Sequence, residues 1–575
     1  MRRSFAVHNR ASTRHRLMAF CSLFLALAIG PAAAQQSSSP VLQAMKAELD
    51  RSMEKLKTQP VPPYFLSYEV TESHNIGVYG AFGKITNSFE NRRRQLDIDL
   101  RVGSYDMDNT REIRGGMPVS PYAGLSNIEV PIENDPDAIR GVLWYHTDER
   151  YKRALEQFTK VKTNVQVKVA QEDKSTDFSH EEPQQYSEPA VDVQVDRKAW
   201  EEKIRKYSAP FAKYTNIYQA MAAFVATAQT RWFVNSEGAR IQTSEPAYQL
   251  FVVAYTKADD GSELPRYETF FGFTEKDLPD DATVLKAVDK IVGDLEALRV
   301  APMVDPYTGP AVLSGRASGV FFHEVFGHRV EGHRQKLENE AQTFKKKIGE
   351  PVLSKGFSVY FDPTVRRLAN TDLMGHYLFD NQGVKAQRVA VVEDGILKTF
   401  LMSRTPIEGF PKSNGHGRKQ VGLNPVARQS NLIVEVAPEA VRPDLKKLLI
   451  EEVQKQGLPF GLYFDDIQGG FTLTGRTIPN AFNVLPLMVY RIYPSGREEL
   501  VRGVDLIGTP LTAFSKIVAA DKNVAVFNGT CGAESGGVPV SAVSPGIFVS
   551  QIEVQRKQKS QERPPVLPAP FEGSN

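Results

Sequence analysis

Apolar positions along the chain repeat with a period near 3.6 in some stretches and near 2 in others. Val41, Met45, Leu49, Met53 and Leu56 fall three or four residues apart and predict an amphipathic helix that Pro60 stops. Stretches 64–70, 77–82 and 94–102 read as strands, the last alternating Leu96, Ile98 and Leu100. Helical patterns return at 136–144 and 149–165. Residues 171–191 lack periodicity and core residues, which predicts an exposed loop or mobile insertion. From 192 to 275 a helix is followed by strands, with Asn235-Ser236-Glu237-Gly238 as a hairpin turn and 248–255 as the next strand. Pro279-Asp280-Asp281 then opens a helix with Val284, Ala287, Val288, Ile291, Leu295 and Leu298 on one face.

Pro302, Pro306, Gly309 and Pro310 cluster and place a boundary between two halves near 300–310. Beyond it strands dominate, at 357–361, 388–392, 397–402, 432–436, 482–493 and 547–554, joined by glycine-rich turns. The chain is therefore expected to be α+β. An N-terminal α/β half with antiparallel strands spans 35–300, and a β-rich half, a curved antiparallel sheet or open barrel, spans 301–555. Residues 556–575, with four Pro, read as a disordered tail.

Residues 1–34 have the make-up of a secretory leader. Arg2, Arg3, Arg10, Arg14 and Arg16 precede a 13-residue apolar core at 17–29, and Ala32-Ala33-Ala34 offers a cleavage site. That core is shorter than the roughly 20 residues a membrane span needs, and no other apolar run approaches that length. The expected location is the periplasm or the outside of the cell. Removal of those five Arg takes the formal charge from +2 to −3, which is not the footprint of a nucleic-acid binder. Removal also takes Cys21 and leaves Cys531 as the one cysteine, unable to form an internal disulfide. Such a thiol is a small buried hydrophobe, an exposed reactive group or a metal ligand. A hydrophobic share of 41% and a charged share of 24% are ordinary for a globular protein.

The chemistry gathers at Phe321-Phe322-His323-Glu324-Val325-Phe326-Gly327-His328, where two imidazoles flank a carboxylate inside an apolar run. A hydrolytic zinc site needs two or three neutral donors, an open position for water and a carboxylate that is not a ligand. His323, His328 and Glu324 supply most of that set. On a regular helix five residues turn through roughly 500°, which leaves the second imidazole about 140° from the first. The two chelate one ion only if the helix takes a π-turn or a distortion at Gly327. His333 and Cys531 are the candidates for a third ligand.

His323-Glu324-x-x-x-His328 followed by Glu331-Gly332, with Cys531-Gly532 near the C-terminus, resembles the TldD/PmbA family of metallopeptidases. Asp380-Asn381-Gln382-Gly383, Glu393-Asp394-Gly395, Pro425-x-x-Arg428-x-x-Asn431, Gln468-Gly469-Gly470 and Leu506-Ile507-Gly508-Thr509 resemble family segments in the same order. The likeness spans roughly 220–555 and implies Zn2+ held by His323, His328 and Cys531, with Glu324 as general base. It also implies hydrolysis of short or unfolded peptides in an enclosed site. The assembly it implies is a homodimer or a heterodimer with a related subunit that lacks the metal motif.

Two further classes are a metal-free scaffold subunit of such a pair and a periplasmic metal-binding envelope protein. His376 and His416, beside glycines, and Arg418, in the same glycine-rich segment as His416, are candidates for substrate binding; each histidine is otherwise a satisfied core or surface residue. Asp465-Asp466 either orients a ligand histidine or forms a turn.

Overall fold

Long strands joined by tight turns build the N-terminal half of the computed structural model, which describes residues 39–113, 127–167, 173–476, 482–557, 563–565, 567 and 570. The expected leader and most of the expected tail lie outside those residues. Strands Pro63–Ala81 and Lys84–Val102 form an antiparallel hairpin. Its turn residues Phe82 and Gly83 take φ of 48° and 79°, the left-handed pair whose twist matches the strands it joins. Pro63–Ala81 pairs on its other edge with Gln219–Asn235, which turns into Arg240–Lys257, and Glu263–Gly272 follows on that strand's far side.

Successive side chains of a strand point to opposite faces, so this sheet has two uses. Even-numbered Phe224, Trp232, Leu250 and Val252 face helices Pro40–Leu56, Pro136–Val167, Arg197–Ser208 and Asp281–Val300. Odd-numbered Arg231, Glu245, Phe251 and Tyr255 line cavities shared with the C-terminal half. Asp280 caps the last of these helices by accepting from the Thr283 N–H, as the Pro-Asp-Asp signal predicts.

Two expectations change. The helical patterns at 136–144 and 149–165 are one helix, because Thr147, which interrupts the apolar spacing, is buried and bonded to the Leu143 carbonyl and the Tyr68 hydroxyl. The 171–191 stretch, expected to be exposed, is pinned within its described part. Phe178 is buried with the guanidinium groups of Arg101 and Arg404 at 3.7 and 3.9 Å from its ring centroid, and Arg404 also donates to the Ser179 carbonyl and to Glu237. One aromatic ring held by cations from distant segments leaves no periodic trace in the sequence.

The C-terminal half is β-rich, and its barrel is closed. Tyr307–Leu313, Gly461–Thr472, Phe482–Ile492, Val504–Gly508 and Ile547–Arg556 pair in a ring, with Tyr307–Leu313 parallel to Gly461–Thr472. Beside it lies a six-stranded sheet that ends on Asn431–Val436, Gly536–Ser544 and Ala525–Ala533. Helix Gly315–Val325 is wedged between the two layers. Phe321 and Phe322 pack on Phe514, and Phe321 also meets Phe482 of the barrel. Gly315 and Gly319, four residues apart on one face, leave room for the sheet. A Cβ there would stand 2.7 Å from the Ser544 carbonyl oxygen and 3.0 Å from that of Ala542. This approach sets the helix against the hairpin that carries Cys531.

Candidate metal centre

Ser314 starts the helix by accepting from the Ala317 N–H, and His323 and Glu324 stand in its last turn. The helix ends at Val325. Phe326 follows with φ −112° and ψ −52°, and Gly327–Val330 winds on as a 3₁₀ turn that carries His328. Of the two distortions the spacing allows, the change at Gly327 is the one present, with no π-turn. Its cause is a close contact and not a left-handed backbone. A Cβ on Gly327 would lie 1.8 Å from Oε1 of Gln429, whose Nε2 donates to the His323 carbonyl at 3.2 Å. Gln429 thus fills the notch where the helix changes pitch and satisfies one of its last carbonyls.

The turn brings the two imidazoles together, with ring centroids 5.1 Å apart and planes at 81°. Cys531, on strand Ala525–Ala533, places Sγ 3.3 Å from Nε2 of His328. One donor atom each from His323, His328 and Cys531 lies within 4.8 Å of the others, and all three residues are buried. Donors 2.0–2.3 Å from a tetrahedral zinc sit about 3.3–3.8 Å from one another, so the set fits one ion with small side-chain adjustment. Glu324, also buried, holds Oε2 3.9 Å from Nε2 of His328. Gly470 keeps space beside it, since a Cβ there would lie 3.0 Å from Cγ of Glu324.

Charge in the site is arranged for anionic sulfur. Burial opposes ionisation of Cys531, but His328 and His323 outweigh it and hold the thiol well below its ordinary value. Burial also opposes a charge on His328, yet Cys531 and Glu331 raise it well above the usual histidine range.

Glu331 is a buried residue of the site to which the sequence reading assigns no role. It is fully buried, with Oε2 3.3 Å from Nδ1 of His328 and 2.9 Å from Nε of Arg334, and with Oε1 3.4 Å from Nε of Arg428. It stands where a carboxylate orients a ligand imidazole, the part considered for Asp465-Asp466. Asp466 instead binds Arg266 at 2.6 Å and Arg316 at 3.1 Å, and Asp465 accepts from the Tyr463 hydroxyl. The i to i+3 spacing of His328 and Glu331 was the available signal. Arg428 ties the other side by donating to the Cys531 carbonyl at 2.7 Å. His333 is not among the grouped donors, and its Nε2 contacts Glu534.

His323, Glu324, His328 and Cys531 share a cavity of about 680 Å³ that Phe251, Tyr255 and Tyr267 of the N-terminal sheet also line. The candidate substrate residues are placed elsewhere. His376 and Arg418 line a neighbouring cavity. His416 is fully buried and lines neither, with Nδ1 against the Asn414 carbonyl and Nε2 against the Ser430 hydroxyl; burial pushes it down to about 3, so the ring is neutral.

Fold and site together define the class: an α+β protein with a buried His-His-Cys group that could hold a metal ion and a carboxylate beside it, the donor set that a metal-dependent hydrolase uses. Residues 306–556 match the profile of the PmbA/TldA metallopeptidase C-terminal domain, which places this half of the chain in the TldD/PmbA family. A metalloprotease of Methanothermobacter thermautotrophicus is 27% identical over 341 residues, 59% of this chain and 70% of that protein. The zinc metalloprotease TldD homolog of Saccharolobus solfataricus is 26% identical over 254 residues, 43% of this chain and 51% of that protein. The crystal structure of TldE from Thermococcus kodakarensis superposes with a TM-score of 0.57 at 13% identity, over 89% of this chain and 100% of that one, a likeness of fold.

Proposed function

We propose that this protein is a zinc peptidase that hydrolyses short or unfolded peptides, exported from the cytoplasm and working as a dimer with itself or with a related subunit. The observation that carries the reading is the convergence of His323, His328 and Cys531 within 4.8 Å, with Glu324 in the same cavity. Bound there, zinc supplies a Lewis acid for a peptide carbonyl and lowers the pKa of water towards about 7. Glu324 accepts a proton from the attacking water and delivers it to the leaving amine, so the peptide bond is replaced by a carboxylate and an amine. Glu331 keeps His328 turned with Nε2 inward. The N-terminal sheet covers the cavity, which suits an extended chain better than a folded protein.

The leader-like residues 1–34 support export, and the name TldE of the structural neighbour supports a paired assembly. The test is zinc content and cleavage of a mixed peptide library by purified protein, with and without chelator. Wild type is expected to hold one zinc and to cleave, and Glu324→Gln to keep the zinc and lose cleavage. A wild type without metal, or a Glu324→Gln protein that cleaves as wild type does, overturns the reading.

A further inference from the structure

Thr530 lines both the metal cavity and a second one of about 690 Å³. The wall of the second cavity carries Arg93, Arg231, Arg366, Arg418 and Lys419, and all but Arg418 have carboxylate partners, Arg93 in Glu129 at 3.0 Å. Arg231 meets Glu69 at 3.5 Å, Arg366 meets Glu245 at 3.5 Å, and Lys419 meets Glu69 at 2.8 Å. Arg418 stands apart. It is 6% exposed, and no carboxylate among the described residues pairs with it. Its Nη1 donates to the Gln429 carbonyl, and its guanidinium lies over the Tyr377 ring at 4.7 Å.

One edge tied to a carbonyl and one face on an aromatic ring leave little freedom to the group, while Nε and Nη2 find no protein acceptor among the described residues. A desolvated cation with no carboxylate partner is costly even with the Cys531 sulfur and the Tyr377 hydroxyl in its surroundings, and a guanidinium fork matches a carboxylate with two parallel hydrogen bonds. Burial pushes Arg418 down to about 10, so it stays a cation at neutral pH. The carboxylates that line the cavity are occupied, Asp380 by the N–H groups of Gln382, Val384 and Gly417. Glu188 accepts from the Ser244 N–H and the Tyr186 hydroxyl, and Glu245 faces Arg366 and His376.

We propose that Arg418 receives a carboxylate of the peptide, its free C-terminus, so that the chain lies from the metal centre past Thr530 into the second cavity. The inference rests on the peptidase reading and adds to it a preference for substrates that end near the scissile bond. An acidic side chain offers the same chemistry, and the test separates the two.

Zinc-loaded full-length protein is assayed on an N-acetylated tetrapeptide with uncharged side chains as the free acid, as the C-terminal amide, and as the amide with one internal residue replaced by aspartate. The acid is expected to be cleaved with kcat/KM about tenfold above the amide, mainly through KM, as one charge-assisted pair implies. Arg418→Gln should abolish that difference and Arg418→Lys should keep part of it. Equal rates for acid and amide in wild type, or an undiminished preference in Arg418→Gln, overturn the proposal; recovery by the internal aspartate overturns its C-terminal assignment. Should Arg418→Gln not fold, Thr530→Glu at the exposed junction is expected to remove the preference, and its persistence there counts as refutation. Calorimetric titration of acid and amide into Glu324→Gln reads binding without turnover. If wild type cleaves nothing, the peptidase reading fails, while the calorimetric comparison still decides the role of Arg418.

Discussion

Sγ of Cys531 lies 3.3 Å from Nε2 of His328, although 203 positions separate the two residues in the chain. The contact depends on two independent pieces of architecture, a helix that changes pitch at Gly327 and a hairpin that packs on the glycine face of that helix.

Replacing the thiol tests the first consequence. Cys531→Ser removes the softest donor, and zinc affinity is expected to fall by more than the roughly 10–100-fold typical of losing a residue that only supports a ligand. Competition with a chromogenic chelator measures it; a wild-type dissociation constant in the variant would remove Cys531 from the metal centre.

Glu331→Gln tests orientation. The amide keeps the shape but withdraws the charge that His328, Arg334 and Arg428 share. Zinc affinity should fall about 10–100-fold. The folded state should lose about 3–5 kcal/mol, because buried Arg428 is left without its one carboxylate partner among the described residues, while Arg334 keeps Glu340 and Glu534. Chelator competition and urea unfolding read the two effects, and unchanged affinity would make Glu331 a structural anion alone.

Gly327→Ala should cost about 1–3 kcal/mol by forcing the Gln429 amide out of the notch it fills. The same change made on a Gln429→Ala background should cost less, since the obstructing atoms are gone. Equal costs in both backgrounds, measured by urea unfolding, would show that the backbone and not Gln429 demands glycine.

Asp380 supplies a pH dependence away from the metal. Burial raises it to about 6, against three backbone donors, from Gln382, Val384 and Gly417. The folded state therefore holds this proton more tightly than the unfolded chain, whose aspartate titrates near 4. The contribution to stability is full below about pH 4 and is lost as pH rises through about 6, up to about 3 kcal/mol. Asp380→Asn removes that dependence, so its stability relative to wild type should climb across this window. A constant difference from pH 4 to 7 would show that Asp380 ionises normally.

The sequence alone determined the helices with clean apolar faces, the β-rich second half, the His323-Glu324 pair and the need for a distortion before His328, because each is encoded in residues a few positions apart. The hydrogen bonds and side-chain faces of one element answer to spacing. Tertiary structure decided the rest. Which of the two distortions occurs depends on Gln429 filling the notch at Gly327, and the barrel closes because Tyr307–Leu313 pairs with Gly461–Thr472, some 150 residues on. The placement of His376 and Arg418 in a second cavity, and the burial of His416, follow from which faces of two sheets come to lie opposite one another. Those contacts join segments whose separation in sequence carries no period, so packing, and not pattern, brings them together.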